Sequence, residues 1–200
     1  KNKKVLITGH TGFKGSWLSL WLVILGAKVI GISNNVPTRP SHFDVINLKT
    51  KIKHFTLDIC DFKKLSNQFK KHNPDFIFHL AAQSLVKKSY LETLKTWNTN
   101  TIGTLNILES LKKLKKKTYV ILITSDKSYK NIEISRGYKE SDLLGGKDPY
   151  SASKGAAEFA IQSYINSFFS GKKNNIFIAV ARAGNVIGGG DWSNDRIIPD

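Results

Sequence analysis

The chain has 200 residues, with 31 lysines and arginines against 15 acidic side chains, a formal net charge of +16, and 40% apolar residues. That suffices for one domain with a self-supporting core, while the single cysteine, Cys60, excludes a disulfide framework and a Cys/His metal cluster and fits a reducing cytoplasm. The lysines fall in small groups at helix ends and loops without interleaved aromatics, which argues against nucleic acid as the partner, and no apolar run reaches the roughly 20 residues of a membrane span.

Residues 5–8 (VLIT) predict a buried strand, and Gly9, Gly12 and Gly15 follow at a spacing of three ahead of an apolar run, 17–27, of helical period. A strand, a glycine turn and a helix N-terminus form an anion site: the first-turn N–H groups and the helix dipole point at one place, and glycine lets a diphosphate approach the backbone. The stretch therefore predicts dinucleotide binding. Residues 27–33 predict a second strand. It ends in Ser33-Asn34-Asn35, where dinucleotide folds often carry an acidic clamp for the ribose, so the choice between NAD and NADP stays open. Residues 36–43 are a loop broken by Pro37 and Pro40; its Arg39 could approach a 2′-phosphate or a substrate, with a solvent-facing side chain the favoured reading.

A third strand, 54–57, leads to Asp58, placed to accept from an adenine amino group, and to Asp61, the expected N-cap of a helix over 62–72. Strand 76–80 is apolar almost throughout, as in a parallel sheet covered on both faces, and runs into the small residues Ala81-Ala82-Gln83 at its carboxyl end. His79 reads as a packed core histidine. One long helix is expected over 90–114, with Asn98, Asn100 and Thr101 hinting at an internal polar role. Strand 118–124 ends in Ser125-Asp126-Lys127, a loop spans 131–148, a helix spans 149–169, and strand 176–181 leads to Asn185 and a triple-glycine loop. The regular alternation predicts a doubly wound parallel α/β sheet, with all 200 residues in one domain. The absence of methionine and the abrupt end at Asp200 predict a fragment of a longer chain.

Tyr150 and Lys154 are four apart on a predicted helix and so share a face. A phenol is a poor base alone, but a neighbouring ammonium stabilises the phenolate, so that it can take a hydroxyl proton while hydride leaves. With TGHTGFKG, DICD, HLAAQS, NTIGT, TSDKSY, YSASK and RAGNVIGGGDW along essentially the whole chain, the sequence resembles the nucleotide-sugar 4,6-dehydratases, extended short-chain dehydrogenase/reductases of Rossmann-like fold. TSDK and AGNVIGGGDW look most like the members acting on CDP-glucose; a dehydratase or epimerase acting on another nucleotide sugar (dTDP-glucose, GDP-mannose), or a non-catalytic NAD-binding protein, are the alternatives.

The resemblance implies a lyase that holds NAD, with NADP not excluded. Cofactor contacts carry over to Gly9, Thr11, Gly12, Phe13, Lys14 and Gly15, and to Ser33, Asp58 and Ile59. They also carry over to Leu80, Ala81, Ala82 and Gln83, and to Asn100, Tyr150 and Lys154. It implies that Tyr150 takes the 4-OH proton, that Ser125 holds that hydroxyl, and that Lys154 bonds the nicotinamide ribose. Asp126 would protonate the departing 6-OH. Lys127 stands where relatives carry a glutamate for the C5 proton, and would have to be neutral to act as that base. Gln83, Ser125, Asn185 and Arg196 carry over as substrate contacts. A C-terminal part that closes over the nucleotide and a homo-oligomer of the full-length protein are also implied.

Overall fold

The apolar runs form six strands: β1 (Lys4–Thr8), β2 (Lys28–Ser33), β3 (Lys53–Thr56), β4 (Phe76–His79), β5 (Thr118–Ile123) and β6 (Ile176–Ala181). In the computed structural model, which describes residues 1–171 and 174–195, they make one parallel sheet in the order β3-β2-β1-β4-β5-β6. The chain reverses direction across the sheet between β1 and β4. At such a switch point the loops diverge and leave a crevice at the carboxyl ends of the strands. Register makes that edge level: Thr8 lies opposite both Ile32 and His79, and His79 opposite Leu122.

The helices are α1 (Phe13–Ile24), α2 (His42–Val45), α3 (Phe62–His72), α4 (Val86–Leu91), α5 (Thr93–Trp97), α6 (Gly103–Leu111) and α7 (Pro149–Tyr164). They cover the sheet unequally. On one face Leu65 and Phe69 of α3 and Ile107, Leu108 and Leu111 of α6 join Leu6, Ile30, Ile77, Val120 and Leu122 in a single buried core. On the other, Val5, Ile7 and Val29 pack against Leu18, Leu22 and Val23 near α1. The α3 pair sits at i and i+4, which turns an otherwise lysine-rich helix into an amphipathic one. Asp61 caps that helix as expected, accepting from the Lys64 N–H at 3.1 Å.

One expectation is corrected. The helix predicted over 90–114 is divided into α4, α5, a π-helical turn at Asn98–Ile102, and α6. The break falls at Glu92, whose backbone leaves the helical region (φ −122°, ψ 54°). The π turn follows from what its ends must reach. Asn100 is drawn inward to the Gln83 backbone, and Gly103 lies so close to Ile59 that a Cβ there would sit 2.5 Å from the Ile59 Cδ1. One extra residue in the turn re-aims a polar side chain inward at the loop after β4, and π-bulges are frequently found at functional sites.

Candidate active site

The glycine turn runs from the end of β1 to α1. Gly9 has φ +77°, and a Cβ on it would lie 2.6 Å from the Ala81 nitrogen; a Cβ on Gly15 would lie 2.1 Å from the Gly9 carbonyl oxygen. These two glycines let the turn, β4 and α1 pack together. Gly12 differs: a Cβ there would meet only the Gly9 carbonyl, at 3.4 Å. It is the N-cap of α1, with no side-chain cap and no acidic residue in the first turn, whereas Ser41, Asp61 and Asp148 cap α2, α3 and α7. The first-turn amides of α1 thus meet no capping side chain at the crevice, and the turn fits a diphosphate. Lys14 adds a cation there, close enough to act on Lys154.

Behind the turn the polar groups are already engaged. Ser33 is buried; its Oγ accepts from the Thr11 N–H (3.3 Å) and bonds His10 Nδ1 (3.0 Å), while the Thr11 hydroxyl donates to the Asn35 carbonyl (2.6 Å). Ser33 and Thr11 therefore fix the turn against the end of β2. His10 is fully buried under Gly31 and bonds His54 through its other nitrogen (2.7 Å). Burial, with the charge of His54 adding to it, pushes His10 down to about 4. Asp58 is exposed at the crevice, one oxygen holding the Cys60 N–H. Ile59 points into the core. Leu80, Ala81 and Ala82 lie half-buried at the end of β4, where the Leu80 N–H donates to the Thr8 carbonyl (3.0 Å).

On the opposite wall, Asp148 accepts from the Ser151 N–H (3.0 Å) and Pro149 occupies the first turn, so α7 starts at the residue before the tyrosine. Tyr150 (8% exposed) and Lys154 (7%) are both buried, one turn apart. Burial pushes Lys154 down to about 8; Lys14 adds to the shift and Glu158 opposes it. The ammonium stays mostly charged at neutral pH, which is the form that stabilises a phenolate. Ser125, buried at the end of β5, donates to Asp126 Oδ1 (3.0 Å) and accepts from the Lys127 N–H (3.2 Å). His79 is the core histidine expected, bonded to Thr8 Oγ1 (2.7 Å) and Thr104 Oγ1 (3.2 Å); burial, and then Lys154, push it down to about 3.

Other expected site residues have partners within the chain or lie exposed. The Asn100 side chain accepts from the Gln83 N–H (2.8 Å) and donates to the Gln83 carbonyl and Ser153 Oγ, so it holds β4's exit loop to α7. The Gln83 side-chain amide closes on Leu85 and Thr96. Asp126 and Lys127 are exposed. Asn185 is exposed in the loop after β6, and Arg196 lies outside the described residues. The sequence reading missed His10 and a buried Glu158–Arg182 pair. Glu158 was legible as the position one turn beyond Lys154; His10 carried no pattern.

A switch-point crevice with an open glycine turn on one wall and a buried Tyr-x-x-x-Lys pair beside a serine on the other defines an extended short-chain dehydrogenase/reductase site. The comparisons agree. A family model described as GDP-mannose 4,6 dehydratase matches residues 6–182. CDP-glucose 4,6-dehydratase of Salmonella typhimurium is 47% identical over 203 residues, covering 100% of this chain and 56% of its own. dTDP-D-glucose 4,6-dehydratase of Dictyostelium discoideum is 30% identical, covering 98% of this chain and 46% of its own. Among solved structures, UDP-glucose 4-epimerase of Thermus thermophilus in complex with NAD superposes with a TM-score of 0.79 at 25% identity, over 96% of this chain and 58% of the other. The fold also matches a dTDP-glucose 4,6-dehydratase of Streptomyces venezuelae, with a TM-score of 0.82 at 23% identity, over 98% and 60% of the two chains. The chain belongs to the nucleotide-sugar 4,6-dehydratase branch of the extended short-chain dehydrogenase/reductases. It spans about half the length of the curated relatives it matches.

Proposed function

We propose that the chain is the dinucleotide-binding part of a longer enzyme that converts CDP-glucose to CDP-4-keto-6-deoxyglucose and water. The observation that carries this reading is the buried Tyr150–Lys154 pair on α7, set across the crevice from the open glycine turn. Its likeness to the Salmonella typhimurium enzyme supports the choice of CDP-glucose over other sugar nucleotides.

NAD, when bound, supplies the acceptor for hydride from sugar C4 and the donor that returns it to C6. The amides at the start of α1 and Lys14 would hold its diphosphate, and Asp58 its adenine amino group. NAD is favoured over NADP by the NAD complex of the Thermus thermophilus epimerase. Tyr150 takes the 4-OH proton, Lys154 stabilises the phenolate, and Ser125 bonds the 4-oxygen. The 4-ketone acidifies C5–H. Loss of that proton, with departure of the 6-hydroxyl as water after protonation by Asp126, leaves the C5–C6 double bond. Lys127 is the base for C5–H and returns a proton to C5 as hydride arrives at C6, and the bound sugar together with the rest of the protein must bury it. Asn185 and Arg196 hold the substrate diphosphate.

A homo-oligomer is part of this reading: Leu91, Leu94 and Phe159 are exposed on helices α4, α5 and α7, which pack together. Cys60 as the lone, exposed cysteine suits the cytoplasm. The test is turnover by the full-length protein offered CDP-glucose, dTDP-glucose and GDP-mannose. A 4-keto-6-deoxy product from CDP-glucose alone supports the reading; a ketone only from another nucleotide reassigns the substrate, and none from any refutes the function.

A further inference from the structure

The geometry points to Glu158 as a positioning residue for the reaction proposed above, on which this inference rests: its carboxylate ties the Ser125 turn and the Arg182 segment to the helix that carries Tyr150 and Lys154. Glu158 lies on α7 one turn beyond Lys154 and two beyond Tyr150, and all three are buried. It is 2% exposed, and its carboxylate gathers donors from two other segments. Oε1 accepts from the Thr124 hydroxyl (2.6 Å), the Ser128 hydroxyl (3.1 Å) and Arg182 Nε (2.7 Å); Oε2 accepts from Arg182 Nη2 (2.6 Å).

Two of those donors bracket the serine. Thr124 immediately precedes Ser125, and Ser128 shares its single hydroxyl hydrogen between Glu158 and the Ser125 carbonyl (2.6 Å). The same turn is laced to the segment after β6, through Thr124 N–H to the Ala181 carbonyl (3.0 Å) and Asp126 N–H to the Ala183 carbonyl (3.1 Å). Arg182 extends the tie: its guanidinium lies 4.6 Å over the Tyr129 ring and reaches the Glu140 carbonyl. A buried ion pair is a weak source of stability, because desolvation of both charges offsets most of the attraction. What this one does is geometric. Removing the carboxylate frees the Ser125 turn relative to Tyr150, and misplacement of about 1 Å costs rate on the order of 10²-fold.

The charge acts as well as the shape. Lys154 faces Lys14 from α1, His79 from β4, and Tyr150 and Glu158 from its own helix; Glu158 is the anion that opposes burial and Lys14. Burial acts to raise the Glu158 carboxyl, but Arg182, Thr124 and Ser128 hold it below its ordinary value, so it is ionised wherever the enzyme works.

The test compares full-length wild type with Glu158→Gln and Glu158→Asp. Glu158→Gln is expected to lower kcat about 10- to 100-fold with KM for the sugar nucleotide nearly unchanged. It should also move the alkaline limb of the kcat profile to lower pH, because Lys154 then loses its proton sooner. Amide exchange at Ser128 and Tyr129 should quicken in the protein without ligands. Glu158→Asp, which keeps the charge, should leave that limb in place and recover part of kcat. A folded Glu158→Gln with an unmoved limb, or Asp no better than Gln, overturns the proposal. Should Glu158→Gln fail to fold, Thr124→Val removes one tie and no charge: several-fold lower kcat with faster exchange at Ser128 and Tyr129 supports the role, and wild-type kcat overturns it. Wild-type protein that makes no ketone refutes the functional reading instead, and this inference falls with it.

Discussion

The two walls of the crevice are built from different materials. The glycine-turn wall works through backbone: Gly9 and Gly15 permit close packing, Gly12 leaves α1 uncapped, and Ser33, Thr11 and His10 are engaged in holding the turn. The α7 wall works through buried ionisable side chains, Tyr150, Lys154 and Glu158, the last paired with Arg182. In the proposed reaction binding therefore depends chiefly on the open backbone of the first wall, and chemistry chiefly on the charges of the second, with Lys14 acting across from one to the other. Substitutions other than at Lys14 should affect mainly the wall they fall on.

The largest expected separation comes from Tyr150→Phe in the full-length enzyme. Without the phenol, kcat should fall about 10²- to 10⁴-fold, while calorimetry should find NAD binding within a few-fold of wild type. A comparable loss of NAD affinity would mean that the walls are not separate. Lys127→Met, at the edge of the catalytic wall, should leave C4 oxidation intact and stop exchange of C5–H with solvent deuterium. Wild-type exchange in that variant would remove Lys127 from the base role.

Gly12→Asp probes the other wall. The added side chain has room, since a Cβ there meets only one carbonyl oxygen at 3.4 Å. It supplies the cap α1 lacks and a negative charge where the diphosphate belongs. NAD affinity should drop at least about tenfold, with stability held or raised by about 0.5–1 kcal/mol. Undiminished NAD binding would contradict the assignment of the turn.

A further effect is on stability alone. Lys154 is pushed by burial from 10.5 down to about 8 in the folded chain. Between those values the unfolded state binds the extra proton, so this group makes stability rise with pH from about 8 toward 10.5 and weakens the fold below that window. Lys154→Met should then be the more stable protein at pH 7, by about 1–3 kcal/mol, and the difference from wild type should shrink as pH climbs. Denaturant melts across that range decide it; a gap that stays constant contradicts the buried charge.

Much of the first wall was legible in the sequence, because three glycines after a strand admit few physical explanations. So were the strands, whose apolar runs are continuous, and the Tyr150–Lys154 pair, whose spacing is helical. The division of the helix over 90–114 was not, since the π turn at Asn98–Ile102 answers to distant partners, Gln83, Ser153 and Ile59, that local propensity does not encode. For the same reason the part that the amides of Asn100 and Gln83 play in holding the loop itself is not visible in the sequence. Lys127 was read beside its neighbours in sequence, and only the fold reveals its exposure.

In the proposed reaction one crevice both oxidises C4 and delivers the same hydride to C6. CDP-glucose carrying deuterium at C4 should then give, on turnover by the full-length protein, a 4-keto-6-deoxy product with that deuterium on C6. Deuterium returned to C4 of a sugar that keeps its 6-hydroxyl, or lost from the product altogether, would contradict it.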